Sequence, residues 1–526
     1  MFTNRLGGAD AWYRYHDLFR DALRTAPLHE AEMHRRAALW FHDNNDPVAA
    51  VGHALEVGET DLAGQWLVES SRPLLRSHQN STLRTLFEQV DAASPKLRPA
   101  VAAAWMFPTL FGDVGGDEID RLLNLGRGAL ASMTEEEEAA DAHLWGLVPY
   151  LFREDPDELI RGIDATIAHR TGDFDLAVET LAAQGPEPSE SGWVEGAAGE
   201  MLIFHEQYSD GLKLAEQWHN YCFSPLNPIL GNQAYALATQ ALASLGSGDL
   251  AAAEALSTRA GDLMRDSGFA DALQSAVAAV PRAWAAWERG DVDTAEAHII
   301  EAIDLLDRLG EVPPGVLGRV VLARALAYRG KMEEAKQVLN RASLSSAGSV
   351  VVGYFADRIA LERARLSLLS GDVVGAEVAL PDWRERIDEG AATMTEHLIL
   401  ARMAIAAGEE AEAMLVAPDE RFEITTAHRL ELHKLRAHLA VREGDNAVAL
   451  DELTAAMQIA AHTGHVQTFL DDAPVFGALL ANAAALSGHR LRADVAIAAS
   501  VAARASAAVL VEPLTERELE TLQLLP

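Results

Sequence analysis

Reverse turns held in register constrain this chain more than any other feature. Glycine is followed five residues later by alanine at Gly58/Ala63, Gly172/Ala177, Gly248/Ala253, Gly290/Ala295, Gly330/Ala335, Gly371/Ala376, Gly408/Ala413 and Gly444/Ala449. From Gly248 onward these glycines lie 42, 40, 41, 37 and 36 residues apart. Alanine also stands seven residues before each of the last six, at Ala241, Ala283, Ala323, Ala364, Ala401 and Ala437. A fourth position, twelve after the glycine, holds Ala260, Ala302, Ala342 and Ala456. The chain is alanine-rich, so a single match means little. Several matches in register across six copies mark an internal repeat.

The register predicts a helical hairpin. Glycine just past a helix adopts the left-handed conformation without a Cβ clash. The residue that follows is often aspartate (Asp173, Asp249, Asp291, Asp372, Asp445), which suits the N-cap of a second helix. The alanine seven before the glycine falls inside the first helix. Those five and twelve after it share one face of the second, since seven residues make about two turns. Small residues there let antiparallel helices approach closely while Leu, Val, Ile and Trp fill the flanks. Three small residues around a Gly-Asp turn resemble the tetratricopeptide repeat, with a period longer than that family's usual length of about 34 and few of its aromatic and proline positions. The fold class expected is all-α: a tetratricopeptide-like helical-hairpin solenoid, wound in that family as a right-handed superhelix.

Length and composition fit. The 526 residues amount to several domains or one long solenoid, and 49% hydrophobic content is ample for a continuous core. The net charge of −36 argues against wrapping nucleic acid or an anionic membrane, which needs a basic face. A single cysteine, Cys222, excludes an internal disulfide framework and fits a reducing compartment. The first ten residues lack the charged-then-apolar layout of a signal peptide. No stretch reaches about 18 uninterrupted apolar residues; residues 495–511 are broken by Arg504. A cytoplasmic protein without membrane attachment is expected.

Helical periodicity runs through almost the whole chain, and strand-like alternation is scarce. Residues 184–193 (QGPEPSESGW) and 224–231 (SPLNPILG) break it as loops. Residues 462–485 and 490–511 read as closing helices, and a short helix is expected over 514–525.

Motifs with chemical meaning are few. Gly246, Gly248 and Ala251 spell a GxGxxA fingerprint, but that chemistry requires a preceding strand. Here an alanine-rich helix precedes it and Gly248 is already a repeat turn. No Gly-x4-Gly-Lys-Ser/Thr loop or Gly-x-Ser-x-Gly elbow occurs. His29 and His34 miss the i,i+4 geometry of a zinc helix by one residue. His428, His433 and His438 step by five, which rotates successive rings around a helix, and His462 and His465 have no third ligand. Solvated or capping roles suit these histidines better than a metal site. Glu135 to Glu138 follow Thr134 as acids in a first helical turn, with Thr134 and Glu137 forming a capping box. Cys222 has no neighbour in sequence that would lower its pKa. Trp284 and Trp287 fill the core or line a ligand groove. No catalytic, cofactor-binding or metal-binding residue is expected, and the chain is not expected to be an enzyme.

Both ends carry a family resemblance. Residues 12–24 (WYRYHDLFRDALR) are similar to the segment closing the ATPase module of LuxR-type, MalT-like transcriptional regulators. The likeness continues through residues 34–41 (HRRAALWF), 46–55 and 58–67. Residues 464–472 (GHVQTFLDD) resemble that family's final repeat, with His465 where an aromatic is usual. Residues 514–522 (LTERELETL) resemble the opening helix of the LuxR-type helix-turn-helix.

The resemblance implies a remnant of an ATPase-associated winged-helix module at 1–30 and an irregular helical arm at 31–225. Tetratricopeptide-like repeats follow at 226–460, closing helices at 461–512, and a truncated first helix of the DNA-binding domain at 513–526. It implies a sensor or scaffold region that binds a small-molecule inducer or a regulatory protein on a repeat groove, with self-association as a family trait. The parent family binds ATP and DNA through domains this sequence lacks. The polypeptide as given is therefore expected to bring no cofactor, and neither to hydrolyse ATP nor to bind promoter DNA specifically. The alternative is a free-standing tetratricopeptide-like scaffold for protein–protein interaction.

Overall fold

A computed structural model describes residues 3–5 and 13–15 and most of residues 30–483. Strand β1 (Thr3–Arg5) pairs antiparallel with β2 (Tyr13–Tyr15), Thr3 opposite Tyr15. All other described elements are helices. The first seven are α1 (Glu30–Asp43), α2 (Pro47–Glu56), α3 (Thr60–Arg76), α4 (Asn80–Ala93), α5 (Pro99–Leu110), α6 (Gly116–Ala131) and α7 (Glu135–Trp145). Then come α8 (Pro156–Thr171), α9 (Phe174–Gln184), α10 (Trp193–Phe204), α11 (Tyr208–Cys222), α12 (Leu230–Ser247) and α13 (Leu250–Asp266). The array continues with α14 (Leu273–Glu288), α15 (Val292–Leu309), α16 (Val312–Tyr328), α17 (Met332–Ala342), α18 (Tyr354–Leu369) and α19 (Val373–Ala379). It ends with α20 (Trp383–Glu389), α21 (Met394–Ala407), α22 (Glu412–Val416), α23 (Thr426–Glu443), α24 (Asn446–Thr463) and α25 (Gln467–Asp471). The chain divides into one unit of residues 1–108 with 133–149, and a larger one of 109–132 with 150–526.

The predicted turns form as expected. Gly248, Gly290, Gly330, Gly371, Gly408 and Gly444 have φ between 76° and 92°, the left-handed region that a side chain resists. After each, the next residue donates its N–H to the carbonyl five back: Asp249 to Ser244, Asp291 to Ala286, Lys331 to Leu326, Asp372 to Ser367, Glu409 to Ala404 and Asp445 to Ala440. This is the Schellman closure, which satisfies carbonyls the helix leaves unpaired. Asp173, Asp249, Asp291, Asp372 and Asp445 then cap the second helix, accepting from the amides of Leu176, Ala252, Thr294, Gly375 and Val448.

The alanines occupy the helix–helix seam. All six at the position seven before the turn are 0% exposed. Ala253, Ala295, Ala335, Ala376 and Ala449 are likewise 0% exposed. Ala413 is the exception: it faces solvent, and Ala411 is buried in its place. The cause is local, because α22 starts at Glu412, four residues past its glycine, where the second helices of the other five hairpins start two past theirs. The fourth hairpin also departs from the pattern. Pro381 follows the seven-residue α19, and Trp383, buried, stands where other copies carry the fourth alanine.

Two further hairpins escape a search for glycine. Asn45 (φ 56°) and Glu206 (φ 62°) occupy the turn position with the same bonds, Asp46 to Phe41 and Gln207 to Leu202. Around Asn45 the register holds Ala38 and Ala50, both buried. Around Glu206 it holds Gly199 and Gly211. A Cβ on Gly211 would come within 2.9 Å of the Gly199 carbonyl oxygen, so α10 and α11 approach more closely than alanine allows.

Toward the end, the helix expected from 462 is interrupted. Gly464 (φ 83°) terminates α24 and the short α25 follows. The expected helices at 490–511 and 514–525, and the whole segment 513–526, lie outside the described residues.

Candidate functional site

In the larger unit the first helices of successive hairpins, α10, α12, α14, α16, α18, α21 and α23, contribute to the wall of one cavity of about 220 Å³. The array curls until its last hairpins meet its first. The Glu423 carboxylate accepts from the Ser209 amide at 2.9 Å and the Ser209 hydroxyl at 2.7 Å, across 214 residues of sequence. The Thr395 amide donates to the Glu206 carboxylate at 3.0 Å, and the Val466 amide donates to the Glu288 carbonyl at 2.7 Å. Seven-residue alanine spacing thus packs the helices, and their other face turns inward.

That inner face is charged. Arg324 on α16 forms a bidentate pair with buried Glu362 on α18, at 2.8 and 2.7 Å, and lies 5.0 Å over the Trp284 ring. Arg365 reaches Asp471 at 2.7 Å. Arg402 on α21 pairs with Asp472 at 2.8 Å and also with Glu431. Lys434 on α23 closes this group against Glu431 at 2.8 Å, Asp472 at 2.7 Å and the Thr468 hydroxyl at 2.6 Å. Burial acts to raise the Asp472 and Glu431 pKa values, but the adjoining Arg402 and Lys434 outweigh it and hold both well below the usual range. Glu362 is held down to about 2, with burial opposed by Arg324 and Arg365. Such pairs fix geometry more than they add stability, because desolvation offsets most of the attraction.

A less completely paired corner lies where α10 and α11 meet α18, α21 and α23. Arg358 on α18 faces Glu206 at 3.9 Å, beyond hydrogen-bond range, and its Nε has no hydrogen-bond partner among the described residues. His428 Nε2 lies 3.5 Å from the same carboxylate, its pKa lowered chiefly by burial. Burial pushes the Tyr354 hydroxyl up to about 12 and raises that of Tyr208, so both remain protonated donors. Phe204 and Tyr354 stack at 6.5 Å.

The structure places both candidate tryptophans on this wall. Trp287 is buried in the core beneath it, while Trp284 is half-buried and donates to Glu288 at 3.1 Å. Core filling and cavity lining are thus the same location. Gly246 is helical and lines the cavity; a Cβ there would fall 1.9 Å from Tyr208 Cε1, so it is needed for packing against that ring. The three histidines that step by five face different partners: His428 lies 3.5 Å from Glu206, His433 pairs with Glu452 at 2.6 Å and His438 approaches Asp472 at 3.6 Å, while His465 bonds the Thr463 hydroxyl at 2.9 Å. His462 bonds the Gln458 carbonyl, and His29 lies outside the described residues. Thr134 and Glu137 form the expected capping box. Cys222 is buried and its thiol is pushed up by that burial.

Reading the sequence missed Glu206 and the four arginines. The signal for Glu206 was the Gly199/Gly211 pair flanking it at the repeat offsets. The arginines carry no comparable signal.

Fold and cavity together define a tetratricopeptide-like repeat array. The MalT-like TPR region family matches residues 206–486, and the chain belongs to that family. Its hairpins are thus those of a MalT-like TPR region. The chain is 25% identical over 415 residues to the serine/threonine-protein kinase PknK of Mycobacterium tuberculosis, covering 76% of this chain and 35% of the kinase. It is 29% identical over 115 residues to the HTH-type transcriptional regulator MalT of Vibrio campbellii, covering 20% of this chain and 12% of that protein. The chain spans about a third of the length of the kinases it matches. Among solved structures, a signal transduction ATPase with numerous domains and a tetratricopeptide repeat sensor, from Pyrococcus horikoshii, overlaps 73% of this chain and 55% of its own at 14% identity and a TM-score of 0.39. No described helix is long and apolar enough to cross a membrane.

Proposed function

We propose that this chain is the sensor region of a LuxR-family transcriptional regulator and that a small-molecule inducer binds in the cavity. The observation that carries the reading is the cavity itself, walled by the first helices of seven hairpins and lined by aromatic and charged side chains. A site of that kind suits a metabolite-sized ligand better than an extended peptide. An occupant touching hairpins at both ends of the array would bias how tightly the array closes, which is what a sensor requires. On this reading the chain is not an enzyme, holds no cofactor of its own and works in the cytoplasm. ATP and promoter DNA are handled by other modules of the regulator. The MalT-like family assignment supports it.

A thermal-shift screen of metabolites against the chain tests the proposal. At least one compound should raise Tm, and Ile399→Trp, which fills the cavity, should abolish that shift while the far-UV spectrum stays helical. If no small molecule acts and a protein partner is captured at stoichiometric ratio, the chain is a scaffold instead.

A further inference from the structure

We propose that the cavity receives a small hydrophobic carboxylic acid, whose carboxylate pairs with Arg358 and whose apolar part lies against Phe204, Tyr208 and Tyr354. The proposal rests on the sensor reading above and specifies the ligand.

Among the described residues four arginines line the cavity, and three are accounted for. Arg324 is bidentate to Glu362, Arg365 bonds Asp471, and Arg402 bonds Asp472 and Glu431. Arg358 has its nearest ion-pair contact, Glu206, at 3.9 Å and feels Glu362 only through space, while its side chain is only 13% exposed. A guanidinium carries five donors in a planar fork, and here the buried Nε has no hydrogen-bond partner among the described residues, which is costly away from water. The Glu206 carboxylate is already engaged with the Thr395 amide. A ligand carboxylate matches the fork in charge and geometry.

Other ligand classes fit less well. A phosphate would bring about two negative charges to a corner that offers one incompletely paired cation and already contains Glu206. A neutral sugar needs many free donors and acceptors, but the other charged side chains on the wall are largely paired with one another. The neighbours of Arg358 are aromatic, and the Tyr354 and Tyr208 hydroxyls stay protonated to donate toward an anion. Leu398 and Ile399 extend the apolar wall. One charge and an apolar body describe a monocarboxylate of metabolite size.

Calorimetry on the full chain at pH 7 tests this with matched probes: phenylacetate against phenylacetamide, benzoate against benzamide, hexanoate against hexanamide. At least one acid should bind at least ten-fold more tightly than its amide. Arg358→Gln should weaken that acid at least ten-fold, whereas Arg363→Gln, which alters an arginine bonded to Asn340 and Ser343, should leave it unchanged. Should Arg358→Gln fold poorly, Glu206→Gln gives an independent reading: removing the carboxylate that competes for Arg358 and repels the ligand's own should tighten acid binding. Amides that bind as well as acids, or a Glu206→Gln variant that binds the acid less tightly, overturn the carboxylate assignment. Neutral compounds that bind in the wild type and are blocked by Ile399→Trp also overturn it while leaving the sensor reading intact. No binding of acids, amides or any screened metabolite overturns both.

Discussion

Closure of the array can be tested by two substitutions that share a backbone cost and differ in one contact. Gly330 and Gly248 both sit at positive φ, 76° and 92°. A Cβ on Gly330 meets nothing within 4 Å. Gly330→Ala therefore costs only the left-handed conformation, roughly 1–2 kcal/mol. The reduced freedom of the unfolded chain returns about 0.4–1 kcal/mol of that, leaving a net loss near 1 kcal/mol. On Gly248 the same Cβ would lie 2.9 Å from Thr426 Cβ and 3.4 Å from the Ala427 amide nitrogen, at the start of α23. Overpacking of this kind adds roughly 1–3 kcal/mol. Gly248→Ala should thus cost about 2–4 kcal/mol, the excess arising solely where the α12–α13 turn meets the start of α23.

Native-state hydrogen exchange is the suitable assay, because a repeat array need not unfold in one step. Amides of residues 426–443 should lose protection in Gly248→Ala and keep it in Gly330→Ala. Adding Thr426→Gly removes the opposing Cβ and should recover the excess cost of Gly248→Ala, giving a coupling energy above about 0.5 kcal/mol. Equal costs for the two glycine substitutions, with no coupling to Thr426, would mean that the ends of the array do not touch in solution and that the cavity is an open groove.

Three further outcomes are expected. Asp445→Ala removes a cap that accepts from the Ala447 and Val448 amides, and should lower stability by about 1 kcal/mol in urea melts. Ala323→Leu places a larger side chain at a fully buried seam between α16 and its neighbours and should cost roughly 1–3 kcal/mol, whereas Ala413→Leu, on an exposed position, should stay within about 0.5 kcal/mol. Acid titration reads Glu362, whose folded pKa of about 2 lies below its unfolded value, so its stabilising contribution is complete above the unfolded pKa near 4.5 and is lost as pH falls toward 2. Glu362→Gln should be several kcal/mol less stable at neutral pH, since Arg324 loses its bidentate partner and keeps only Glu288 at 3.9 Å, and the gap should narrow as acid is added; a gap constant from pH 7 to pH 2 would refute the assigned ion pair.

Much of the fold was legible because the repeat encodes itself in backbone conformation. A left-handed residue, a cap and two seam positions recur at fixed offsets, and each has a local physical cause. Glycine was an incomplete proxy for the first of these. Asn45 takes the left-handed conformation with less strain than most side chains, and its flanking Ala38 and Ala50 keep the register. Glu206 is less expected, since a glutamate there carries strain that its neighbours must offset. Its carboxylate is held by the Thr395 amide on a helix almost 190 positions away, so the compensation comes from closure and not from local sequence. Ala413 failed for the opposite reason: the spacing survived, but the second helix starts late and turns a different alanine inward.

The cavity was far less legible, and the reason follows from the repeat itself. A first helix buries its alanine face against its partner, so its other face carries charge and, on a helical wheel, reads as solvated. Arg324, Arg358, Arg365 and Arg402 look like that on their own helices. They become interior only because the hairpins curve until Glu423 reaches Ser209, and curvature is the accumulated effect of seam side chains at every step. Gly199 and Gly211 tighten one step, and the truncated α19 and late-starting α22 alter two others. Departures from the repeat therefore help set where the inner charges converge. Restoring one departure, for example by Gly211→Ala, pushes Ile203 and the Gly199 carbonyl of α10 away from α11 and should loosen closure at Glu206 and Arg358 without touching either residue. Ligand affinity that falls in Gly211→Ala while helix content is retained would locate the control of the site in the packing of the array; unchanged affinity would refute that coupling.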